Sequence, residues 1–320
     1  MVDPSVSPAP PSKTPLKVFG VLGILLGVLS LALGALLLVM AFYTHNLPNG
    51  QGLPIRAQMP GVMVYCFAGF LFASLGWGTF MARRWARTLS LIVGWSWLLV
   101  GVMSMCALAF MVPSLMNPPG GSPLGPGGRI AVVVITFLVV GFFFIALPAI
   151  GLVFYHLPKT QRAFETFHPE PDWTDRCPPS VLAVSLCYGV GGIFVLVTMP
   201  FINFGWPFFG RMLWGWRGLL ALLVQSPVLA YLAWGTYHLR WKAWVLSMVV
   251  NVLWTVSVVW TFWSTDLLEM DRQMGFSEQV IAQVARNPMM SGPMISTLTG
   301  FACVLWLGYL LWIGRHFKRD

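Results

Sequence analysis

Long apolar runs separated by short polar turns set the pattern of this chain. Eight of them occur, at residues 18–43, 60–81, 88–111, 130–155, 181–201, 218–237, 243–263 and 293–313. Each is long enough, at about 20 residues, to cross the roughly 30 Å hydrocarbon core of a bilayer as a helix. None alternates apolar and polar residues in the way a membrane β-barrel strand must. The pattern predicts an all-α integral membrane protein with eight transmembrane helices.

Within that pattern one stretch recurs. Residues 77–97 return at 234–254 without a gap, and nine positions coincide: Trp77/Trp234, Gly78/Gly235, Thr79/Thr236, Arg83/Arg240, Ala86/Ala243, Leu89/Leu246, Ser90/Ser247, Val93/Val250 and Trp97/Trp254. Both copies hold the end of one apolar run, a short basic turn and the start of the next. A period this long marks a duplicated unit rather than a solenoid. An even number of spans per unit gives both units the same orientation, so the expected architecture is two parallel four-helix repeats about an axis along the membrane normal. The expected boundaries are a disordered cytoplasmic tail at 1–16, a first repeat at 17–160, a linker at 161–179 and a second repeat at 180–320.

Composition agrees with a membrane setting: 57% of residues are hydrophobic and 9% charged, with a mean hydropathy of +0.76. A globular protein carries about a quarter of its residues as charges. The net charge of +9 is a topology signal rather than a nucleic-acid footprint, because of where the bases fall. Arg56, Arg129, Arg211, Arg217, Arg272 and Arg286 lie on one side of the eight-span arrangement, and the other 13 of the 19 Lys and Arg residues lie on the side that holds both termini. The positive-inside rule then puts both termini in the cytoplasm of a cell (inner) membrane. The first run has no small-residue cleavage site after it and reads as an uncleaved anchor. Cys66, Cys106, Cys187 and Cys303 lie in apolar runs and Cys177 in a cytoplasmic loop, which leaves no basis for a disulfide framework.

Between the units, residues 156–179 form the one strongly polar cytoplasmic segment. Residues 159–167 are expected to extend the fourth helix until Pro169 and Pro171 stop it. On the outer side, the aromatic 203–217 loop suits the headgroup zone. A short surface helix is expected near 277–288, capped by Ser277, with Val280, Ile281 and Val284 on one face.

No Asp, Glu, Lys or Arg falls in the middle of a span, which argues against a proton relay built on acidic side chains. The polar groups at depth are Gln225 in the sixth span and Asn251 in the seventh, where the first copy has Gly94. Each is either a solute contact or an interhelical hydrogen bond. Gly23, Gly27, Ser30 and Gly34 draw a small-residue seam down the first span, suited to close helix packing within the chain or to self-association. Arg83, Arg84, Arg240 and Lys242 are candidate headgroup contacts as well as topology anchors. Most of the 16 Trp residues fall near span ends and read as an interfacial belt. The linker offers His156, His168, Asp172, Asp175 and Cys177 at spacings that match no metal motif. The sequence contains no GxSxG, Walker loop, HExxH or dinucleotide fingerprint, so no catalytic, cofactor-binding or metal-ligating residue is assigned.

The linker sequence Asp172-Trp173-Thr174-Asp175-Arg176-Cys177-Pro178 resembles that of bacterial multi-pass membrane proteins with two four-helix units and a WTDRCP-like linker. The resemblance implies a bacterial inner membrane and brings no activity with it. The functional expectation is a non-enzymatic accessory protein that binds a partner through the 156–179 linker. The alternative is a permease for a small neutral or amphipathic solute held between the repeats, and a third reading is a lipid-modifying enzyme. The lipid bilayer is the expected partner, nucleic acid is not, and no cofactor is expected.

Overall fold

The structure, a computed structural model, describes residues 12–45, 55–116, 125–276, 278, 281–282 and 292–317. Eight helices in it are long and apolar enough to cross a bilayer. Their outward faces are apolar, with Leu25, Val39, Phe70, Leu138 and Val224 all more than half exposed. Water would not tolerate so much uncovered hydrocarbon, whereas lipid chains are its natural solvent. Contacts group the chain into two compact units, residues 1–31 with 67–176 and residues 32–66 with 177–320.

In the first unit, α1 (Thr14–His45) begins inside the segment read from sequence as tail. The Ser12 hydroxyl accepts from the Thr14 N–H, and Leu16 is already buried. The glycines of α1 meet a second small-residue row on α2 (Ile55–Phe80). A Cβ at Gly23 would stand 2.8 Å from Gly76 Cα, and one at Gly27 would stand 2.6 Å from Ala73 N. Without a hydrophobic push between helices in lipid, this close backbone approach is what dispersion can use. In the other unit, Gly34 lies against Tyr65 and Cys66.

The fourth span runs from Pro126 to His156 as α4 (Pro126–Gly141), a π-turn (Phe142–Ala146) and α5 (Leu147–His156). The cause is Pro148, which has no N–H to give the Phe144 carbonyl, so the ladder is interrupted there. That carbonyl faces Gly101 of α3 (Arg84–Met116), where any Cβ would overlap it. Beyond α5 the chain does not continue as one helix. Leu157 turns out at ψ 130° and Pro158 opens a separate α6 (Pro158–Phe167), because a residue before proline is disfavoured in the helical region. Leu16, Ala82, Phe154, Tyr155, Ala163 and Phe164 form the buried cluster at this end of the unit.

The second unit is built from α7 (Pro179–Thr198), α8 (Trp216–Tyr237), α9 (Trp241–Ser264) and α11 (Gly292–Ile313). Its core joins Val181, Val184, Tyr188, Leu232, Leu310 and Ile313. Two pieces were not expected from the sequence. One is a hairpin, β1 (Trp206–Phe208) with β2 (Arg211–Leu213); the other is a short helix, α10 (Leu267–Gln273). The expected 277–288 helix lies outside the described residues apart from Glu278, Ile281 and Ala282.

The two basic turns share one geometry. Ala82 and Leu239 take φ 56° and 55°. Around them, Arg83 N–H bonds Gly78 O at 2.8 Å and Ala82 N–H bonds Thr79 O at 3.0 Å, while Arg240 N–H bonds Gly235 O and Leu239 N–H bonds Thr236 O, both at 2.9 Å. This is the Schellman pattern, with the left-handed residue just past the helix end. Gly78 and Gly235 admit the methyl groups of Ala86 and Ala243, which a Cβ would approach to 2.7 and 2.5 Å. Of the nine shared positions, Gly78/Gly235, Thr79/Thr236, Arg83/Arg240 and Ala86/Ala243 are the ones that build this turn.

Candidate ligand cavity in the second unit

At the end of the second unit away from the Arg240 turn, α7, α8, α9 and α11 surround a cavity of about 580 Å³. Small-molecule sites commonly fall between 300 and 1,000 Å³. Its cover is the hairpin and α10, and the hairpin is held by side chains of α9. Ser257 Oγ donates to Pro207 O at 3.1 Å and accepts from Phe209 N–H at 3.0 Å. Thr261 Oγ1 accepts from Gly210 N–H at 3.0 Å, and Ser264 Oγ donates to Gly210 O at 3.1 Å. Phe209 and Gly210 both have positive φ, 37° and 86°, the I′ geometry that fits the twist of a two-residue hairpin. Trp206 of β1 is buried and packs on Trp254, with ring centroids 4.9 Å apart. The short helix α10 is fixed at its start by Asp266, whose carboxylate accepts from Leu268 N–H at 2.9 Å.

The wall is largely apolar. Trp206, Trp214, Trp254 and Phe262 supply rings, and Met199, Met212, Met270 and Met274 supply flexible thioethers that adapt to irregular shapes. Among the described residues, no Asp, Glu, Lys or Arg lines it. The polar groups in the wall include Gln225, Tyr188 and Thr299. Asn251 stands behind Tyr188 rather than in the wall: its Nδ2 donates to Tyr188 Oη at 2.7 Å and to Ser247 O at 2.8 Å, and Ser247 Oγ lies 2.6 Å from the same hydroxyl. Gln225 differs, since its side-chain amide makes no hydrogen bond to protein among the described residues.

The first unit has a smaller hollow of about 160 Å³, lined in part by Ser90, Gly94, Trp97 and Tyr155. Leu152 occupies the place beside Gly94, where a Cβ would come within 2.9 Å of its Cδ2. Here the tyrosine comes from α5, and Tyr155 Oη lies 2.9 Å from Thr79 Oγ1 with Ser90 also bonded to it.

The four candidate headgroup residues have two fates. Arg83 and Arg84 are tied down by the linker: Arg83 Nη1 meets His168 Nε2 at 2.8 Å, and Arg84 pairs with Asp175 at 3.4 Å and donates to Pro169 O. Asp172 caps α3 by accepting from Trp85 N–H at 3.3 Å. Arg240 and Lys242 are exposed, and Arg240 stacks 4.0 Å over the Trp234 ring. The linker groups are thereby spent on separate partners, and among the described residues no three His, Cys, Asp or Glu gather in a metal-like group. Cys177 is buried, which pushes its thiol up to about 11 and keeps it protonated.

Sequence reasoning singled out Gln225 and Asn251 but missed the cavity that separates their roles. The signal for the cover was partly present, since Asp266 and Glu269 have capping-box spacing ahead of α10. Comparison with protein-family models, with curated proteins and with solved structures gave no match.

Proposed function

We propose that this is a multi-pass protein of the bacterial inner membrane, built of two parallel four-helix repeats with cytoplasmic termini, whose second repeat binds a small neutral or amphipathic molecule as a permease or solute-binding protein. The architecture is supported by the matched windows and by their common Schellman turn. The ligand reading rests on one observation: the Gln225 amide sits in the wall of an apolar cavity with no protein partner among the described residues. A ligand hydroxyl or carbonyl at Gln225 would gain a hydrogen bond worth about 0.5–1.5 kcal/mol while its apolar body meets Trp206, Trp214 and the methionines. The lack of charge among the described wall residues favours a neutral ligand over an ionic one.

This reading places the ligand inside the second unit instead of between the repeats. An accessory role through the 156–179 linker has weaker support, because His168, Asp172 and Asp175 are already bonded within the first unit. A lipid-modifying role has no activated nucleophile there, Cys177 being a buried, protonated thiol.

The test uses the full chain in lipid nanodiscs titrated with 12-bromododecanol, which quenches tryptophan at contact. Quenching should saturate, and Gln225→Leu should weaken the saturable phase roughly three- to tenfold, the loss of one hydrogen bond worth about 0.5–1.5 kcal/mol. An identical titration for the variant would remove the ligand reading.

A further inference from the structure

The two basic turns have the same backbone geometry but different company. In the first, an acidic segment of the same chain fills the space over the turn. Asp172 takes the Trp85 N–H and Asp175 pairs with Arg84. In the second, Lys242 N–H stands where Trp85 N–H stands in the first, and among the described residues no side-chain hydrogen bond caps the α9 N-terminus. Among the described residues, Arg240, Lys242 and Arg315 make no salt bridge, and all three are exposed. Arg315 reaches the same end of the unit because Gly314 lies against Trp244, whose Nε1 donates to Leu310 O at 2.9 Å.

We infer that the Arg240–Lys242 turn, with Arg315, is a binding site for the phosphate of an anionic phospholipid, equivalent to the place Asp172 and Asp175 occupy over the first turn. The twin turn shows what this backbone accepts, namely an oxyanion at the start of the following helix beside an arginine. The surroundings select lipid over an acidic peptide. Arg240 stacks 4.0 Å over Trp234 and Arg315 4.5 Å over Trp312, and both rings are more than 40% exposed beside apolar helix faces (44% and 51%). Indoles so placed belong at the headgroup level of a bilayer, where a cation and a lipid phosphate meet without either leaving its usual depth.

The test is native mass spectrometry of the detergent-solubilised full chain titrated with phosphatidylglycerol or phosphatidylcholine, with thermal unfolding of each variant as the check on folding. The wild type should retain one phosphatidylglycerol at least tenfold more tightly than phosphatidylcholine. Arg240→Gln with Lys242→Gln should abolish that preference at an unchanged unfolding midpoint. Asp172→Asn with Asp175→Asn should free the first turn and add a second phosphatidylglycerol. Equal retention of the two lipids, or a preference that survives Arg240→Gln with Lys242→Gln, would overturn the proposal. So would a soluble peptide of residues 168–176 that displaces the lipid, which would assign the turn to an acidic protein segment.

Discussion

Asn251 and Gln225 are uncharged amides on neighbouring helices of one unit, yet they have opposite standing. Asn251 is satisfied twice over, by Tyr188 Oη and Ser247 O, so it positions a cavity tyrosine without touching the cavity. Interhelical hydrogen bonds in membranes average about 0.6 kcal/mol and reach about 1.7. A double-mutant cycle of Asn251→Leu and Tyr188→Phe, read by denaturation in detergent, should therefore show a coupling of about 0.5–1.5 kcal/mol. Additive effects would mean the hydrogen bond does not form. Sequence alone brought out both residues because polar groups at depth are rare, but it could not tell them apart. What distinguishes them is the presence of Tyr188, 63 positions away in the chain from Asn251.

At the scale of elements, the eight long helices were legible because apolar length alone decides them. The interruptions were not read: residues 159–167 were expected to extend the fourth helix although Pro158 ends it, and the consequence of Pro148 lies across a helix interface, with the Phe144 carbonyl at Gly101. The hairpin was not legible: Phe209-Gly210 lacks the usual Asn-Gly signature, and its stability comes from Ser257, Thr261 and Ser264, about 50 residues away. The α1 seam was visible from spacing, but its partner row on α2 was not. Gly76→Val should lower stability by about 2–3 kcal/mol, since its Cβ would stand 2.5 Å from Ile24 N and backbone cannot move aside as a side chain does. Gly61→Ala, at a site with nothing within 4 Å of the new Cβ, should change it by less than about 0.5 kcal/mol. Equal losses in a denaturation series would refute the close α1–α2 packing.

At the scale of the whole molecule, the proposed orientation rests on the 13-to-6 division of Lys and Arg residues. Alkaline phosphatase fused after His168 or after Asp320 should be inactive and a cytoplasm-active fluorescent protein bright; active phosphatase at either place would invert the topology. The proposed duplication would account for the two Schellman turns, and under it the units differ in the hollows they hold. The first unit keeps only about 160 Å³, with Leu152 against Gly94, while the second opens about 580 Å³ and uses Asn251 behind Tyr188. The central claim is that this larger cavity holds the ligand. Gly192 lines it, and an added Cβ meets only the Leu229 side chain at 3.5 Å, so a side chain at 192 starts clear of backbone and Gly192→Phe is the variant expected to fill the cavity. Titrated with 12-bromododecanol in nanodiscs, Gly192→Phe should lose the saturable tryptophan quenching while its unfolding midpoint stays close to that of the wild type. Saturable quenching of undiminished affinity in that variant would contradict the account.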